Sequence, residues 1–395
     1  MIMTIRLGAF ISIIILSLYT HSGYTQSSDT LRRAKIAICM PLYIDSAFNG
    51  NTYKWSKSNI PSYAAKGLEF YNGVQAAIDS LGAQGIVANV FILDTKTKDG
   101  LDKQLNNPLF EDVDLLMGNL TSVNELQVLS KIAYKKNIPF ISATYPNDGN
   151  ITGNPFMTIL NTTLQTHIAG ICNYLQKYYT SSNIIFCTRK GSVEDMLWNY
   201  VEQANSSSTE PLSIQKIFLE DSASLNHITS YLKKDKTNIC IAGSLNESFG
   251  ISLAKQLAST TDNYPTILLG MPNWDGIKTL ANSAHKNLTI VYTSPFNYTS
   301  SNTAVSTFRS TYKKKYQSVP SDMLLKGFEC MYRFGKLVAT AVKQGESLNI
   351  ADSRFKVFND FDIQPVEHKK NKVDYFENKK IYFVQQQNGQ LKVIE

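Results

Sequence analysis

Two short polar turns hold the side chains best suited to chemistry. Gly118-Asn119-Leu120-Thr121-Ser122 follows one apolar run, and Ser142-Ala143-Thr144-Tyr145-Pro146 closes the next. Turns at the ends of successive buried strands lie on one rim of an α/β sheet, where such sheets bind small ligands. Ser122-Val123-Asn124-Glu125 also fits a capping box, in which the serine oxygen accepts the N3 amide and the glutamate reaches back. The free N–H groups of the same helix start attract anions. Two charge-assisted bonds to a ligand carboxylate are worth ~3–6 kcal/mol before losses, whereas micromolar binding needs about 8 kcal/mol. The turn can therefore anchor a ligand through Thr121 and Ser122 but cannot hold it alone. Helix capping is the alternative role for Ser122.

Other candidates lie at matching places. Thr144 and Tyr145 offer a hydroxyl and a ring to the same rim; the alternative is a solvent-facing loop closed by Pro146. Asn273 and Trp274 follow the apolar run ending at Gly270, and an indole beside an amide suits a ligand wall. The alternative for Trp274 is a place in the core. Tyr43 opens a stretch of about 25 residues that also carries Phe48, Tyr53, Trp55 and Tyr63. A loop that long suggests function, although packing against its own domain explains it equally well.

Catalysis has little support. The five histidines are His21, His167, His227, His285 and His368. They are scattered, without HExxH or Cys/His ligand spacing, and the chain has no G-x-S-x-G, Walker A or G-x-G-x-x-G motif. His167 falls in a helical stripe and reads as a packed residue. The expectation is a binding protein with no catalytic residues, metal or cofactor.

Positioning these turns requires regular alternation, and the chain has it. Strand-like runs at Lys35–Pro41, Val87–Asp94, Val113–Met117, Ile138–Ser142 and Phe156–Leu160 alternate with helical stripes. One such stripe, over Gly67–Leu81, carries Leu68, Tyr71, Val74, Ile78 and Leu81. The pattern then restarts with a helix around Thr162–Tyr178. Strands follow at Asn183–Cys187, Ile214–Leu219, Asn238–Ala242, Thr266–Gly270 and Leu288–Tyr292. Such alternation means βαβ units and parallel sheets, here in two similar lobes. Gly243-Ser244-Leu245-Asn246-Glu247 echoes the Gly118 turn at the equivalent point of the second half. Two further helices occupy roughly Ser300 to Gln344, and short strands fill the tail from Arg354.

Composition agrees with an exported globular protein. Of 395 residues, 43% are hydrophobic and 18% charged, enough apolar content for large cores. Arg6 followed by the apolar run Leu7–Leu18 and small or polar residues reads as a cleaved leader over 1–26. Twelve apolar residues are too few to span a bilayer, and no later run is long enough, so no stable membrane span is expected after cleavage. The five cysteines are widely spaced, which argues against a disulfide framework while leaving one pair open. A net charge of +7 is mild for this length. Lys313-Lys314-Lys315 lies in a helical stretch and reads as a solvated face, so nucleic acid is not an expected partner.

The whole pattern resembles the type I periplasmic binding proteins, in particular the branched-chain amino-acid (Leu/Ile/Val) receptor group. The similarity is carried by Gly67-Leu68-Glu69-Phe70-Tyr71-Asn72-Gly73-Val74-Gln75-Ala76-Ala77-Ile78, Met117-Gly118, Ile138-Pro139-Phe140-Ile141-Ser142 and Leu268-Leu269-Gly270. It implies two doubly wound parallel-sheet lobes joined by three crossings, near Leu160, near Pro295 and near Gln344–Ala351. The implied division is lobe one over 33–160 plus 297–345 and lobe two over 161–296 plus 346–395. It implies a small polar, amino-acid-like ligand in the interlobe cleft, its carboxylate at Thr121 and Ser122, and delivery to an ABC-type membrane transporter. The family's second-lobe acid, which takes the ligand's ammonium, maps roughly to the neutral Asn273, with Asp275 close by. The neutral position and the large aromatic loop keep an alternative open, an envelope interaction or sensor protein without transport. Either way the protein is expected in the periplasm or secreted.

Overall fold

Alternate residues of the first strand feed two different cores, so the sheet it belongs to must be covered on both faces. Ile36, Ile38 and Met40 enter one buried cluster, and Ala37 and Cys39 enter another. The computed structural model describes residues 32–394 apart from 56–59, 220–224, 282–284, 286 and 389. The leader expected over 1–26 lies outside them.

In chain order the first half forms β1 (Ala34–Met40), a small hairpin of β2 (Phe48–Asn49) and β3 (Thr52–Tyr53), then β4 (Ala88–Asp94), β5 (Leu115–Gly118), β6 (Phe140–Ser142) and β7 (Met157–Ile159). The second half forms β8 (Asn183–Thr188), β9 (Ile214–Phe218), β10 (Asn238–Gly243), β11 (Thr266–Gly270) and β12 (Thr289–Ser294). The tail adds β13 (Ile363–Val366), β14 (Tyr375–Asn378), β15 (Tyr382–Gln387) and β16 (Gln390–Val393). One sheet runs β13-β14-β7-β6-β5-β1-β4 and the other β16-β15-β12-β11-β10-β8-β9. Each contains five parallel strands in the order second, first, third, fourth, fifth of its own lobe. These are the two doubly wound lobes that the alternation predicts, each with a switch point between its first and third strands. The echo turns occupy equivalent places, Gly118 ending β5 and Gly243 ending β10.

Two long helices cover one face of the first sheet. They are Ser62–Gly82 and Asp322–Gln344, and they meet backbone to backbone. A Cβ added at Gly73 would strike the carbonyl oxygen of Leu324, and one at Gly327 would strike that of Phe70. Only glycine allows this approach. The first helix begins at Ser62, one turn earlier than the apolar stripe indicates, and the loop before it has structure of its own in the β2–β3 hairpin and a short helix at Ile44–Ala47.

The tail divides in a way the sequence reading misses. All of 346–395 is expected in the second lobe, with the third crossing at Gln344–Ala351. Instead β14 pairs in parallel with β7 and antiparallel with β13, so both complete the first sheet. Only β15 and β16 join the second, beside β12. The third crossing is therefore the short link between Asn378 and Tyr382. Apolar periodicity marks these segments as strands but says nothing about which open sheet edge each one extends. The crossing is tied to the first one: Thr162 donates to the Asn378 carbonyl at 2.8 Å, and Asn378 Nδ2 donates to the Leu160 carbonyl at 3.2 Å. The second crossing is pinned through Asn297, whose N–H donates to Asn359 Oδ1 at 2.6 Å.

A buried carboxylate organises that junction. Glu329 accepts from the amides of Phe358 and Asn359, from Asn359 Nδ2 and from the Tyr298 hydroxyl. All five cysteines are buried and unpaired.

Substituting alanine at Gly73 or Gly327 should force the two helices apart and cost about 1–3 kcal/mol per site, the usual range for overpacking. Because the glycines share one interface, the double variant should cost less than the sum. Chemical denaturation midpoints measure both effects.

Candidate functional site

The ends of β1, β4 and β5 build the first-lobe rim. Asp94, at the end of β4, is buried and accepts from the amides of Leu42, Ile44 and Lys96 at 2.8–2.9 Å. Two of those amides flank Tyr43, which takes a left-handed conformation with φ of 58°. That conformation is costly for a bulky residue, and the shared Asp94 carboxylate holds it. Tyr43 is thereby presented beside Tyr63, ring centroids 4.7 Å apart, with the Lys96 ammonium 5.9 Å from its ring.

Lys96 in turn bonds the Thr121 hydroxyl at 2.7 Å and pairs with Glu125 at 2.5 Å. Ser122 caps its helix by accepting from the Glu125 amide at 3.3 Å. The glutamate reaches back one residue further than a capping box requires and accepts from the Thr121 amide at 2.7 Å. The protein's own carboxylate thus occupies the amide that a ligand carboxylate is expected to meet. Thr144 is also engaged: its hydroxyl accepts from the Leu120 amide at 3.0 Å and donates to Asn119 Oδ1 at 2.9 Å. Tyr145 is half-buried and leans on the core cluster around Leu126. Tyr43, Thr121, Ser122 and Thr144 therefore share one rim, but the last three spend hydrogen bonds inside it.

The second lobe also departs from expectation. Trp274 is 2% exposed, and its ring packs in the core against Gly250 and Gly270, the alternative place that the sequence allows. Asn273 donates to the Leu245 carbonyl at 2.9 Å and bridges two turns of its own rim. Near the second switch point, Glu194 accepts from Ser244 at 2.6 Å and from Arg189 at 3.4 Å. This too is a nearly buried glutamate in the first turn of a helix, here Ser192–Ser206.

The charges that face the crevice lie next to the second crossing. Asp275 keeps solvent contact while neighbouring protein desolvates it, and that desolvation raises its pKa. The Tyr292 and Ser294 hydroxyls lie near its carboxyl and partly offset that rise. Within electrostatic range on the first lobe are Lys326 and Asp322, with Lys66 near Lys326. Lys326 is half-buried with its ammonium over the Phe296 ring at 4.4 Å, and desolvation lowers its pKa. Lys326 carries no motif; the available signal is a lysine beside a core glycine in an otherwise apolar helical stretch.

Several buried polar atoms on the two rims have no partner among the described residues. On the first rim these are Thr95 Oγ1, Asn119 Nδ2 and Ser142 Oγ; on the second they are Asn273 Oδ1 and Trp274 Nε1. Such atoms are costly unless water or a ligand satisfies them. From Tyr43 outward, the rings of Tyr63, Trp55, Tyr53 and Phe48 continue edge to face, and Tyr63, Tyr53 and Phe48 are 40–52% exposed. A cavity of about 550 Å³, lined partly by Pro139, Phe156, Val342 and Leu348, opens where the first sheet's strands begin, away from the switch point. His167 is buried against Thr293 Oγ1 at 2.8 Å, and burial pushes its pKa down to about 3. No group of three His, Cys, Asp or Glu side chains among the described residues could hold a metal ion.

A family model described as periplasmic binding protein matches residues 62–385. The chain is similar in structure to a putative branched-chain amino acid ABC transporter from Rhodospirillum rubrum, with a TM-score of 0.67 and 14% identity over 92% of this chain and 100% of that one. An ABC transporter substrate-binding protein from Desulfitobacterium hafniense in complex with Leu gives 0.57 at 12% identity, over 92% and 100%. A solute-binding protein from R. palustris in complex with benzoate gives 0.51 at 15%, over 92% and 96%. No curated protein matches by sequence.

Lys96→Met should strand the Glu125 carboxylate and cost about 1–3 kcal/mol. That is below the ~3–5 kcal/mol of a fully buried pair, because Lys96 remains 24% exposed. Adding Glu125→Gln should recover most of the loss. A double-mutant cycle on denaturation midpoints measures the coupling.

Proposed function

The chain belongs to the periplasmic binding protein family, and from that premise we propose that it captures a small polar solute between its lobes. The observation that carries this reading is Asp275, an acid of the second lobe in contact with solvent, beside Tyr292 and within electrostatic range of Lys326 on the first lobe. A carboxylate held in that way takes an amine, so the solute is amino-acid-like. Leucine and benzoate, named with two of the similar structures, both carry a carboxylate. Hinge closure around the three crossings would bury the solute and strengthen each polar contact. The protein is a binder rather than an enzyme. It works outside the cytoplasm and hands its solute to an ABC-type membrane transporter. Among the described residues no helix is long and apolar enough to cross a membrane.

A second reading has its own observation. The exposed rings from Phe48 to Tyr63 form a face that suits another envelope protein, and apolar patches of that kind mark interaction sites.

Thermal melting with amino acids, their amides and small carboxylates separates the two. A solute at about 100 times its Kd adds about 2.7 kcal/mol of stability, which should appear as a clear rise in Tm. Asp275→Asn should abolish the rise for amine-bearing solutes. If no solute gives a rise, and replacing Tyr53 and Tyr63 by serine releases a copurified protein, the second reading holds instead.

A further inference from the structure

The first-lobe turn expected to anchor a carboxylate is already filled, which leaves open what would hold a ligand's anionic group. Glu125 takes the Thr121 amide, and Lys96 is committed to Glu125 and Thr121. A second carboxylate there would meet a carboxylate. The start of the helix Ser62–Gly82 adds Lys66, which lies within electrostatic range of Lys326. On the crevice side of the first lobe, Lys326 is an ammonium without a committed partner among the described residues. Among the described residues it makes no hydrogen bond or ion pair, and its contact is the face of Phe296 at 4.4 Å.

Resting on the solute-capture reading, we infer that Lys326, seconded by Lys66, replaces the filled Thr121 turn as the anion anchor of the crevice.

Three observations support this assignment. Lys326 and Asp275 belong to different lobes, since Lys326 lies in the Asp322–Gln344 helix on the first sheet and Asp275 follows β11 of the second. They are close enough to feel each other's charge yet form no ion pair, the ammonium resting instead on the Phe296 ring at 4.4 Å. Asp322 is already taken by Arg309 at 2.7 Å, so a purely structural lysine would be expected to pair with Asp275; this one is desolvated and not paired. Opposite charges held apart on two hinged bodies match the two ends of a dipolar solute. Such a solute contacts both lobes and favours the closed form over the open one, which is the differential affinity that closure needs. Phe296 follows directly on the second crossing, so the anchor lies at the hinge end of the crevice, where a small closing rotation moves it least.

The test is calorimetric titration of the wild-type chain, Lys326→Met and Lys326→Arg. The probes are the twenty common amino acids and benzoate, each set against its amide. The wild type should prefer acids to amides. Lys326→Met should weaken the tightest-binding acid by about 10- to 100-fold, the loss of one charge-assisted bond, and leave its amide within about 3-fold. Lys326→Arg should keep most of the affinity for the acid, which excludes a folding defect as the cause. Equal acid affinity in wild type and Lys326→Met would overturn the assignment while leaving solute capture standing. Binding of no probe by the wild type would overturn both. Loss of acid and amide binding together in Lys326→Met, with no rescue by arginine, would make Lys326 a structural residue and overturn the assignment alone.

Discussion

The backbone-to-backbone contact of the helices Ser62–Gly82 and Asp322–Gln344 governs the rest of the architecture. Gly73 and Gly327 let each helix press against a carbonyl of the other, joining residues about 250 positions apart in sequence. The chain must therefore leave the first lobe, build the second, return, and cross again. Three crossings follow, and the first and third are strapped together at Leu160, Thr162 and Asn378. The same contact carries the start of the second helix to the crevice, with Asp322 and Lys326 on its first turns.

Electrostatics divide the crevice into closed and open groups. In each lobe a glutamate on the first turn of a helix is nearly buried and paired with a neighbouring base, Lys96 with Glu125 and Arg189 with Glu194. These pairs fix the turns at the switch points and use up donors that would otherwise be free for a ligand. The open groups lie nearer the hinge. There Asp275 and Lys326 face each other from separate lobes, each in an environment that disfavours its charge. A charged group kept in such a place invites a partner that neutralises it.

Much of the fold was legible because buried parallel strands are continuous apolar runs and their helices carry one-sided stripes. The two lobes and the equivalence of the Gly118 and Gly243 turns follow from that pattern. The destination of the tail was not legible. β14 and β15 are separated by three residues yet belong to different sheets, and the choice depends on open edges created by distant segments. Candidate contacts were harder still. A hydroxyl at a sheet rim is polar whether it meets a ligand or its own backbone, and Thr144 does the latter. Trp274 sits beside a rim residue in sequence, yet its ring fills the space above Gly250 and Gly270. Asp275 and Lys326 belong to no motif; only the packing of two lobes brings them within range of each other.

Native mass spectrometry of gently purified protein reaches the central claim without knowledge of the ligand. Wild-type chain should retain one small solute per molecule, and that added mass should vanish from the folded double variant Asp275→Asn, Lys326→Met. The same adduct persisting in the double variant would contradict a site built from these two charges.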